Sequence, residues 1–404
     1  MEHSSDRRTW AKIELDAIRQ NVEAIRRHIG GKSKIMGIVK ADAYGHGAPF
    51  VAKELSDCGV DFFGVSSMDE ALQLRYAGIG HDILILGYTA PTGENIKKLI
   101  DHDITQTVFD LDCAKKISEE AKKIGRDAKL HIKIDTGMNR LGFCFTKTNK
   151  DPIIIEKIKS IKKLCNIKCE GIFTHFALAD DKQSSFTKEQ LGLFCELVCA
   201  LEKEGVCFDI KHAANSGATI NFPETHLDYV RCGLILYGLY PSESTREAGD
   251  IALLPAMSLK TTISQIHTVK KGETVSYART YSSGRDISCA TLPIGYADGF
   301  SRLLSNSASV LVGGRQVPVI GRVCMDQSMI DITGCQGAKV GDVVTLFGHD
   351  ENGAAFIPVE QLADMMETIN YEVVCLIGKR VPRVFYKNGE EIGQQNYIAP
   401  MGQH

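Results

Sequence analysis

The first 240 residues alternate between two hydrophobic patterns, and this alternation limits the possible folds more than any other feature. Short β-rich apolar runs are separated by stretches with apolar residues at helical spacing, such as 111–124 and 188–204. Eight such runs occur, at 35–39, 62–65, 83–86, 105–109, 130–134, 171–174, 208–211 and 228–231. Alternating strands and helices form parallel sheets, and eight units predict an α/β fold with a closed (β/α)8 TIM-type barrel. A leading helix, expected from Asp16 as N-cap to Ile29, can complete the outer ring of helices.

The pattern changes near Tyr240, which indicates a second domain. Residues 241–255 are polar and turn-rich, and short alternating strands follow at 259–269, 289–292, 309–312, 317–319, 329–332 and 342–347. Gly313-Gly314 is typical of a two-residue hairpin turn. We therefore expect a barrel over 11–245 and a mostly β domain over 246–388, which residues 1–10 join, with a tail at 389–404.

Charge and composition favour a small-molecule partner. The 404 residues carry 47 basic and 50 acidic side chains, a net charge of −3, without a long run of one sign. Nucleic-acid and polybasic membrane surfaces normally show a basic excess, so we expect neither nucleic acid nor membrane as a partner. The polar N-terminus, the absence of a long apolar stretch and thirteen cysteines without a C-x-x-C pair predict a cytoplasmic protein with reduced cysteines in its interior. We expect no metal site.

The ends of the predicted barrel strands carry the residues with chemical potential. Lys40 follows the first strand directly, before a small, glycine-containing turn. Such a lysine is usually a solvated charge, but a desolvated one has a lowered pKa and can form a Schiff base.

Further polar residues follow the later strands: Lys133, Asp135 and Arg140 after the fifth, His175 after the sixth, Ser216 after the seventh, and Arg231 and Gly233 at the eighth. A structural role for His175 and a helix-capping role for Ser216 remain open. Backbone N–H groups after strands seven and eight form the usual phosphate site of such barrels. A Schiff-base lysine facing a phosphate site predicts pyridoxal phosphate as cofactor.

Nine motifs, in order along the chain, carry a family resemblance. They are Val39-Lys40-Ala41-Asp42-Ala43-Tyr44-Gly45-His46-Gly47, Met138-Asn139-Arg140-Leu141-Gly142, Thr174-His175-Phe176, His212-Ala213-Ala214-Asn215-Ser216, Val230-Arg231-Cys232-Gly233, Val275-Ser276-Tyr277, Pro293-Ile294-Gly295-Tyr296-Ala297-Asp298-Gly299, Cys324-Met325-Asp326-Gln327 and Ile369-Asn370-Tyr371-Glu372. The chain resembles the alanine racemases, pyridoxal-phosphate enzymes of fold type III, over nearly its whole length. The resemblance implies an isomerase that interconverts L-alanine and D-alanine, and the supply of D-alanine for peptidoglycan.

The resemblance also implies a two-base mechanism. Lys40 would hold the cofactor and act on one face of the substrate Cα, and Tyr277 of a second subunit would act on the other. Inversion requires two bases on opposite faces, since one removes the proton and the other returns it from behind. His175 and Arg231 resemble the network that stabilises the tyrosine anion. A tyrosine contributed by a partner implies a head-to-tail homodimer.

The remaining roles come from the same resemblance. Arg231 matches the arginine that faces the pyridine nitrogen, and because an arginine keeps its proton, it implies a weak electron sink that favours reprotonation. Arg140 and Met325 resemble residues that bind the substrate carboxylate, and Lys133 matches a lysine often carbamylated in relatives. The expected phosphate ligands are Tyr44, Ser216, Gly233, Leu234 and Tyr371. The residues matching the entrance channel are Asp180, Arg302, Arg322 and Ile369.

Four other functions are weighed against this one. A barrel-only pyridoxal-phosphate-binding protein would lack the β domain and Tyr277, and a barrel-type decarboxylase would place an acid where Arg231 stands. A structural or scaffold protein would not need Lys40, Tyr277 and the phosphate site together. A serine racemase of the vancomycin-resistance type, or an enzyme acting on both amino acids, remains the alternative. Tyr371 resembles the alanine-type motif, and a single hydroxyl group changes discrimination only modestly when the pocket does not bind it specifically.

Overall fold

The computed structural model describes residues 7–398, which form two compact units. The first unit comprises 18–43 and 48–254, and the second comprises the described residues up to Ala17, Tyr44–Gly47 and the described residues from Pro255 onward. The expected boundary at 245/246 thus differs from the contact-based one after Leu254. The side chain of Asn21 donates to the Leu236 and Leu254 carbonyls at 3.0 and 2.9 Å, which holds the turn-rich segment in the first unit.

The first unit is a closed parallel barrel with helices, so the predicted fold class is confirmed. Its eight strands are β2 (Lys34–Ile38), β3 (Phe62–Val65), β4 (Asp82–Ile85), β5 (Ile104–Val108), β6 (Ala128–Asp135), β8 (Ile167–Phe173), β9 (Ile210–His212) and β10 (Tyr229–Cys232). Pairing of β10 with β2 and of β5 with β6 completes the ring. The short strand β7 (Phe143–Cys144) adds to the end of β6. All eight strands overlap the predicted runs.

Helices separate the barrel strands, and several begin at residues that satisfy exposed N–H groups. They are α1 (Leu15–Ile29), the turn α2 (Lys40–Tyr44), α3 (Ala48–Asp57), α4 (Met68–Tyr76), α5 (Gly93–Asp101), α6 (Leu111–Ile124), α7 (Ile153–Lys162), α8 (Phe186–Lys203), α9 (Ser216–Asn221) and α10 (Glu243–Glu247). Asp110 caps α6 by accepting from the N–H of Cys113, and Gly125 ends it in a left-handed conformation. The predicted helix 111–124 is therefore confirmed.

The second unit is mostly β. Its largest sheet contains β1 (Thr9–Glu14), β11 (Met257–Thr262), β16 (Ser309–Val312), β17 (Arg315–Pro318), β19 (Val343–His349), β20 (Phe356–Ile357), β21 (Arg383–Lys387) and β22 (Glu390–Gln395). Two smaller sheets contain β12 (Gln265–Val269), β15 (Ile287–Leu292) and β18 (Ser328–Asp331), and β13 (Thr274–Val275) and β14 (Tyr281–Ser282). It also contains helices α11 (Val359–Met365) and α12 (Asn370–Cys375) and three short 3-10 turns, at Tyr277–Arg279, Tyr296–Asp298 and Arg302–Leu304. Gly313 and Gly314 have positive φ and join β16 to β17, so the predicted hairpin is confirmed.

Three local predictions were wrong. Asp16 lies inside the first turn of α1 instead of capping it, and its carboxylate accepts from the backbone N–H of Asn388. The single strand expected over 259–269 is two strands, because the chain leaves one sheet for another at Ile263 and Ser264. Only Cys169, Cys232 and Cys289 of the thirteen cysteines are buried, so most of these thiols are not interior residues. The expected tail partly forms strand β22, whereas 399–404 lie outside the described residues.

Candidate active site

Lys40 stands at the start of an unusual turn at the carboxyl end of β2. The four residues that follow it, Ala41 to Tyr44, all have φ between 50° and 54°, which makes a left-handed helical turn without any glycine. Left-handed conformations cost roughly 1–2 kcal/mol for each residue with a side chain, so the surroundings must hold this turn in place.

Hydrogen bonds from neighbouring groups stabilise the left-handed turn. The Glu70 carboxylate accepts from the N–H of Ala41 at 2.8 Å and from the N–H of Ser66 at 2.6 Å. Asp42 accepts from the N–H of Ala48 at 2.8 Å. The turn therefore joins the end of β2 to the start of α3 and fixes the backbone at Lys40.

Three more cations gather at the same end of the barrel. Lys133 lies in β6, Arg140 follows that strand, and Arg231 lies in β10. Burial lowers the pKa of Lys133 to about 8, and the charges of Arg140 and Arg231 add to the shift. Among residues 7–398, no carboxylate forms an ion pair with Lys133, Arg140 or Arg231. Lys133 and Arg231 are buried, whereas Arg140 is exposed. Buried cations that form no ion pair indicate a site for an anion.

Asp135 is the nearest acid, but its oxygens already accept from the loop that follows β6. One carboxylate oxygen accepts from the N–H groups of Gly137 and Asn139 at 2.9 and 3.0 Å, and the other accepts from the N–H of Arg140 at 2.9 Å. Asp135 therefore shapes the loop that carries Arg140, and its charge offsets only part of the lowering of the Lys133 pKa.

Arg231 is buried and donates to four acceptors inside the barrel unit. One guanidinium nitrogen lies 3.0 Å from Nδ1 of His212. The other donates to the carbonyls of Thr174 and Ala213 and to Nδ1 of His175, at 2.8, 2.9 and 3.1 Å. Removal from water, followed by the charges of Arg231 and Lys133, lowers the pKa of His175 well below its usual value. His175 is therefore a neutral partner of Arg231.

The segments after β9 and β10 meet at Ser216 and Gly233. Asn215 caps α9 by accepting from the N–H of Ala218 at 2.9 Å, so Ser216 is the first helical residue and not the cap. The Ser216 hydroxyl accepts from the N–H of Gly233 at 3.0 Å. A second helical turn, Leu234–Tyr237, begins directly after Gly233. Two helical starts at adjacent strand ends present N–H groups of the kind that bind phosphate.

These barrel-unit groups fit pyridoxal phosphate. The cofactor needs a primary amine, cations and N–H donors for its anionic groups, and a partner for its ring nitrogen. Lys40, the three further cations and the helical starts at Ser216 and Leu234 lie at the ends of parallel strands, which share one face of the barrel.

The second unit carries the other candidates. Burial raises the pKa of Tyr44, and the neighbouring Cys375 and Tyr371 add to the shift, so Tyr44 and Tyr371 are neighbours there. Gly45 lies against the helix that carries Tyr371, since a side chain at position 45 would come within 2.3 Å of the carbonyl oxygen of Val374.

Tyr277 and Met325 also belong to the second unit, and both are exposed, by 69 % and 52 %. Ser276 donates to the carbonyl of Arg322 at 2.6 Å, which ties the Tyr277 segment to the loop before Met325. The candidates for the entrance channel divide between the units, with Asp180 in the first and Arg302, Arg322 and Ile369 in the second.

Two kinds of feature are absent from residues 7–398, the part of the chain that the structure describes. No group of three or more His, Cys, Asp or Glu side chains in this range is arranged to hold a metal ion. No helix there is both long and apolar enough to cross a membrane.

Comparison with known proteins decides the family. Sequence models of the alanine racemase N-terminal and C-terminal domains match residues 13–241 and 256–385. The chain belongs to the alanine racemase family. It is therefore an enzyme of the isomerase class.

Individual alanine racemases match nearly the whole chain. The alanine racemase of Methanococcus maripaludis is 47 % identical over 376 residues, covering 93 % of this chain and 98 % of its own. Alanine racemase 2 of Caldanaerobacter subterraneus is 45 % identical, covering 97 % of this chain and 98 % of its own. The solved alanine racemase of Clostridium difficile 630 superposes with a TM-score of 0.91 at 41 % identity, covering 97 % of this chain and 99 % of its own. The serine alternative gains no support from these relatives.

Sequence reasoning missed the role of two buried histidines near the candidate site, His131 and His212. His212 was read only as part of a motif, yet it contacts Arg231 directly. A signal for His131 was present, since His131, Lys133 and Asp135 alternate along β6 and so point to one face of the strand.

Proposed function

We propose that the protein is a pyridoxal-phosphate-dependent racemase that interconverts L-alanine and D-alanine. The observation that carries this proposal is the group of cations that form no ion pair within the described chain, Lys133, Arg140 and Arg231, at the barrel end where Lys40 stands. Family membership supplies the substrate, and a solved relative from Bacillus anthracis, 36 % identical, was determined with bound L-Ala-P.

The residues named above divide among the parts of the cofactor. Lys40 would hold it, and Tyr44, Ser216, Gly233, Leu234 and Tyr371 would bind its phosphate. When bound, pyridoxal phosphate withdraws electrons from the bond between the substrate Cα and its hydrogen and makes that hydrogen acidic. Arg231 would face the ring nitrogen, and since its guanidinium keeps its own proton, it leaves that nitrogen unprotonated. Nδ1 of His175 accepts a hydrogen bond from Arg231 and so helps to hold the guanidinium in place.

Two bases then complete the inversion. The Nζ atom of Lys40 would take or return the proton on one face of Cα, and the hydroxyl oxygen of Tyr277 of the partner subunit would do so on the other. The exposure of Tyr277 in the single chain supports a role at a subunit interface. The active form is then a head-to-tail homodimer.

Arg140 and the backbone of Met325 would bind the substrate carboxylate. Lys133 fits carbamylation, since a lysine with a pKa of about 8 is partly uncharged near neutral pH and only the uncharged amine reacts with carbon dioxide. A carbamate there would place a negative charge next to Arg140. Asp180, Arg302, Arg322 and Ile369 would line the entrance channel.

The biological role follows from the reaction. D-alanine made by the enzyme would supply peptidoglycan synthesis. All thirteen cysteines are unpaired thiols, which supports a reducing compartment such as the cytoplasm.

A chiral assay tests the proposal. Purified protein with pyridoxal phosphate is incubated with L-alanine, D-alanine or L-serine, and the enantiomers are separated by chiral chromatography. We expect both alanine enantiomers to approach an equal mixture, and serine to react more slowly. Absence of alanine interconversion would reject the proposal, and faster turnover of serine would reject the substrate.

A further inference from the structure

A chain of hydrogen bonds runs from Arg231 into the barrel interior. Arg231 lies 3.0 Å from Nδ1 of His212, and Nε2 of His212 lies 3.0 Å from Nδ1 of His131. The side chain of His131 also meets the ring of Phe62 edge-on, with ring centroids 5.8 Å apart. His131 lies in β6, whereas its partners His212 and Phe62 lie in β9 and β3, which do not neighbour β6 in the sheet. The side chain of His131 therefore points into the barrel.

The donors and acceptors in this series of hydrogen bonds determine which ring nitrogen of each histidine carries the proton. A guanidinium group only donates, so Nδ1 of His212 must be the acceptor. A neutral histidine with an accepting Nδ1 carries its proton on Nε2, and that proton points to His131. Nδ1 of His131 accepts it, so His131 also carries its proton on Nε2. Burial lowers the pKa of His131 to about 3, and that of His212 well below its usual value, which keeps both rings neutral.

The local structure accommodates the ring of His131 through a β-bulge and a glycine, and it leaves one ring nitrogen without a partner. A β-bulge shifts the register between β6 and β8 and brings Gly171 opposite His131. A side chain at Gly171 would come within 2.4 Å of the His131 ring. Within the described chain, Nε2 of His131 is buried without a hydrogen-bond partner, so its removal from water is not compensated. An apolar residue at position 131 would avoid this cost but would leave His212 without an acceptor.

We propose that His131 is a positioning residue that acts through His212 to hold Arg231. By accepting the proton of His212, it keeps Nδ1 of His212 free to receive the guanidinium. Without His131, the second tautomer of His212 becomes populated and presents an N–H to Arg231, so two donors face each other and the guanidinium turns away. The inference rests on the proposed function, in which Arg231 faces the ring nitrogen of the cofactor.

Three substitutions test this role. His131→Leu removes the acceptor, whereas His131→Asn keeps an oxygen near the position of Nδ1. Gly171→Ala pushes the ring of His131 aside without altering that residue. Ile132→Ala, at a buried neighbouring position in β6, controls for general weakening of the barrel.

The decisive measurement is the tautomer of His212, read from the 15N chemical shifts of histidine-labelled full-length protein with and without pyridoxal phosphate. His212→Asn assigns the signals. We expect one tautomer, with the proton on Nε2, in the wild-type, Ile132→Ala and His131→Asn proteins. We expect a mixture in His131→Leu and Gly171→Ala.

The kinetic measurement tests whether this tautomer matters for the reaction. We expect kcat for alanine to fall about tenfold or more in His131→Leu, with little change in KM, and His131→Asn to recover most of the loss. An unchanged tautomer in His131→Leu would overturn the inference, as would a changed tautomer with unchanged kcat. Failure of the proposed function would instead appear as wild-type protein that neither binds the cofactor nor racemises alanine. The tautomer of His212 can be measured without either property, so the two failures are distinguishable.

Discussion

Lys133 is a buried cation in the barrel interior, and its charge affects stability. Burial and neighbouring cations lower its pKa from 10.5 to about 8 in the folded protein. Between these two pH values the unfolded chain binds more protons than the folded one, so stability rises with pH across this window. At lower pH the folded state must hold a charged Lys133.

Replacing Lys133 with methionine should remove this pH dependence. In bicarbonate-free buffer, we expect Lys133→Met to be more stable than wild type below pH 8, by up to roughly 3 kcal/mol, with the difference vanishing near pH 10.5. Urea denaturation at several pH values measures it. A constant difference from pH 7 to 10.5 would show that Lys133 does not have a lowered pKa.

Lys40 is predicted to hold the cofactor, and a spectrum tests this directly. Lys40→Ala should lose the visible absorbance that appears when pyridoxal phosphate is added to the wild-type protein, because the covalent link to the amine is gone. Lys34→Ala, at the opposite end of β2 in a surface ion pair with Asp61, is the matched control and should keep the absorbance. An unchanged spectrum in Lys40→Ala would remove Lys40 from its role.

At the scale of single residues, the sequence predicted which side chains stand at the barrel end but not how their charges are balanced. Lys133, His175 and Arg231 were found because each lies at or near the end of a predicted strand. The neutral state of His175 depends on three-dimensional contacts with Arg231, and the link from Arg231 to His131 spans 100 residues of sequence. No local pattern carries that information.

Among the elements, the barrel strands were the easiest to predict and the turn after β2 the hardest. Buried parallel strands have continuous apolar runs, and these runs overlap all eight observed strands. The left-handed turn at 41–44 contains no glycine that would indicate it. Its stabilisation depends in part on Glu70, which accepts from the N–H of Ala41 and lies 29 residues away in the sequence. The short strands β13, β14 and β20 were missed because two residues are too few to show a period.

Arg383 joins two elements that carry predicted phosphate ligands. Its buried guanidinium donates to the carbonyl of Gly45, next to Tyr44, and to those of Ile377, Gly378 and Val381, which follow the helix that carries Tyr371. The distances lie between 2.7 and 2.9 Å. Hydrogen bonds to a charged group contribute about 1.5–3 kcal/mol each, so this one side chain holds both elements in place.

Substitution of Arg383 should therefore weaken binding of the phosphate group. We expect Arg383→Lys to bind pyridoxal phosphate at least about tenfold more weakly, a loss of about 1.4 kcal/mol, while the affinity for pyridoxal, which lacks the phosphate, changes much less. Absorbance titration measures both ligands. Arg285→Lys, an exposed arginine of the same unit, is the control. Equal losses for both ligands would mean that Arg383 affects the whole site and not its phosphate end.

For the molecule as a whole, the sequence predicted a barrel followed by a β domain, and the described residues have both. It predicted that residues 1–10 join the β domain, but not that strand β1 pairs with β11 and β21, which lie more than 240 residues later. Pairing over such a distance leaves no local trace in the sequence. The same limit applies to the subunit arrangement, which only the family resemblance suggested.

Mixing two inactive variants tests the head-to-tail dimer. If Lys40 and Tyr277 in each site come from different chains, a dimer of one Lys40→Ala chain and one Tyr277→Phe chain has one site with both defects and one intact site. An equal mixture forms about half heterodimers, so about a quarter of all sites should regain activity. Subunits are exchanged by joint refolding, and racemisation is compared with that of each variant refolded alone. If both residues came from the same chain, every site would keep a defect and the mixture would stay as inactive as its parents.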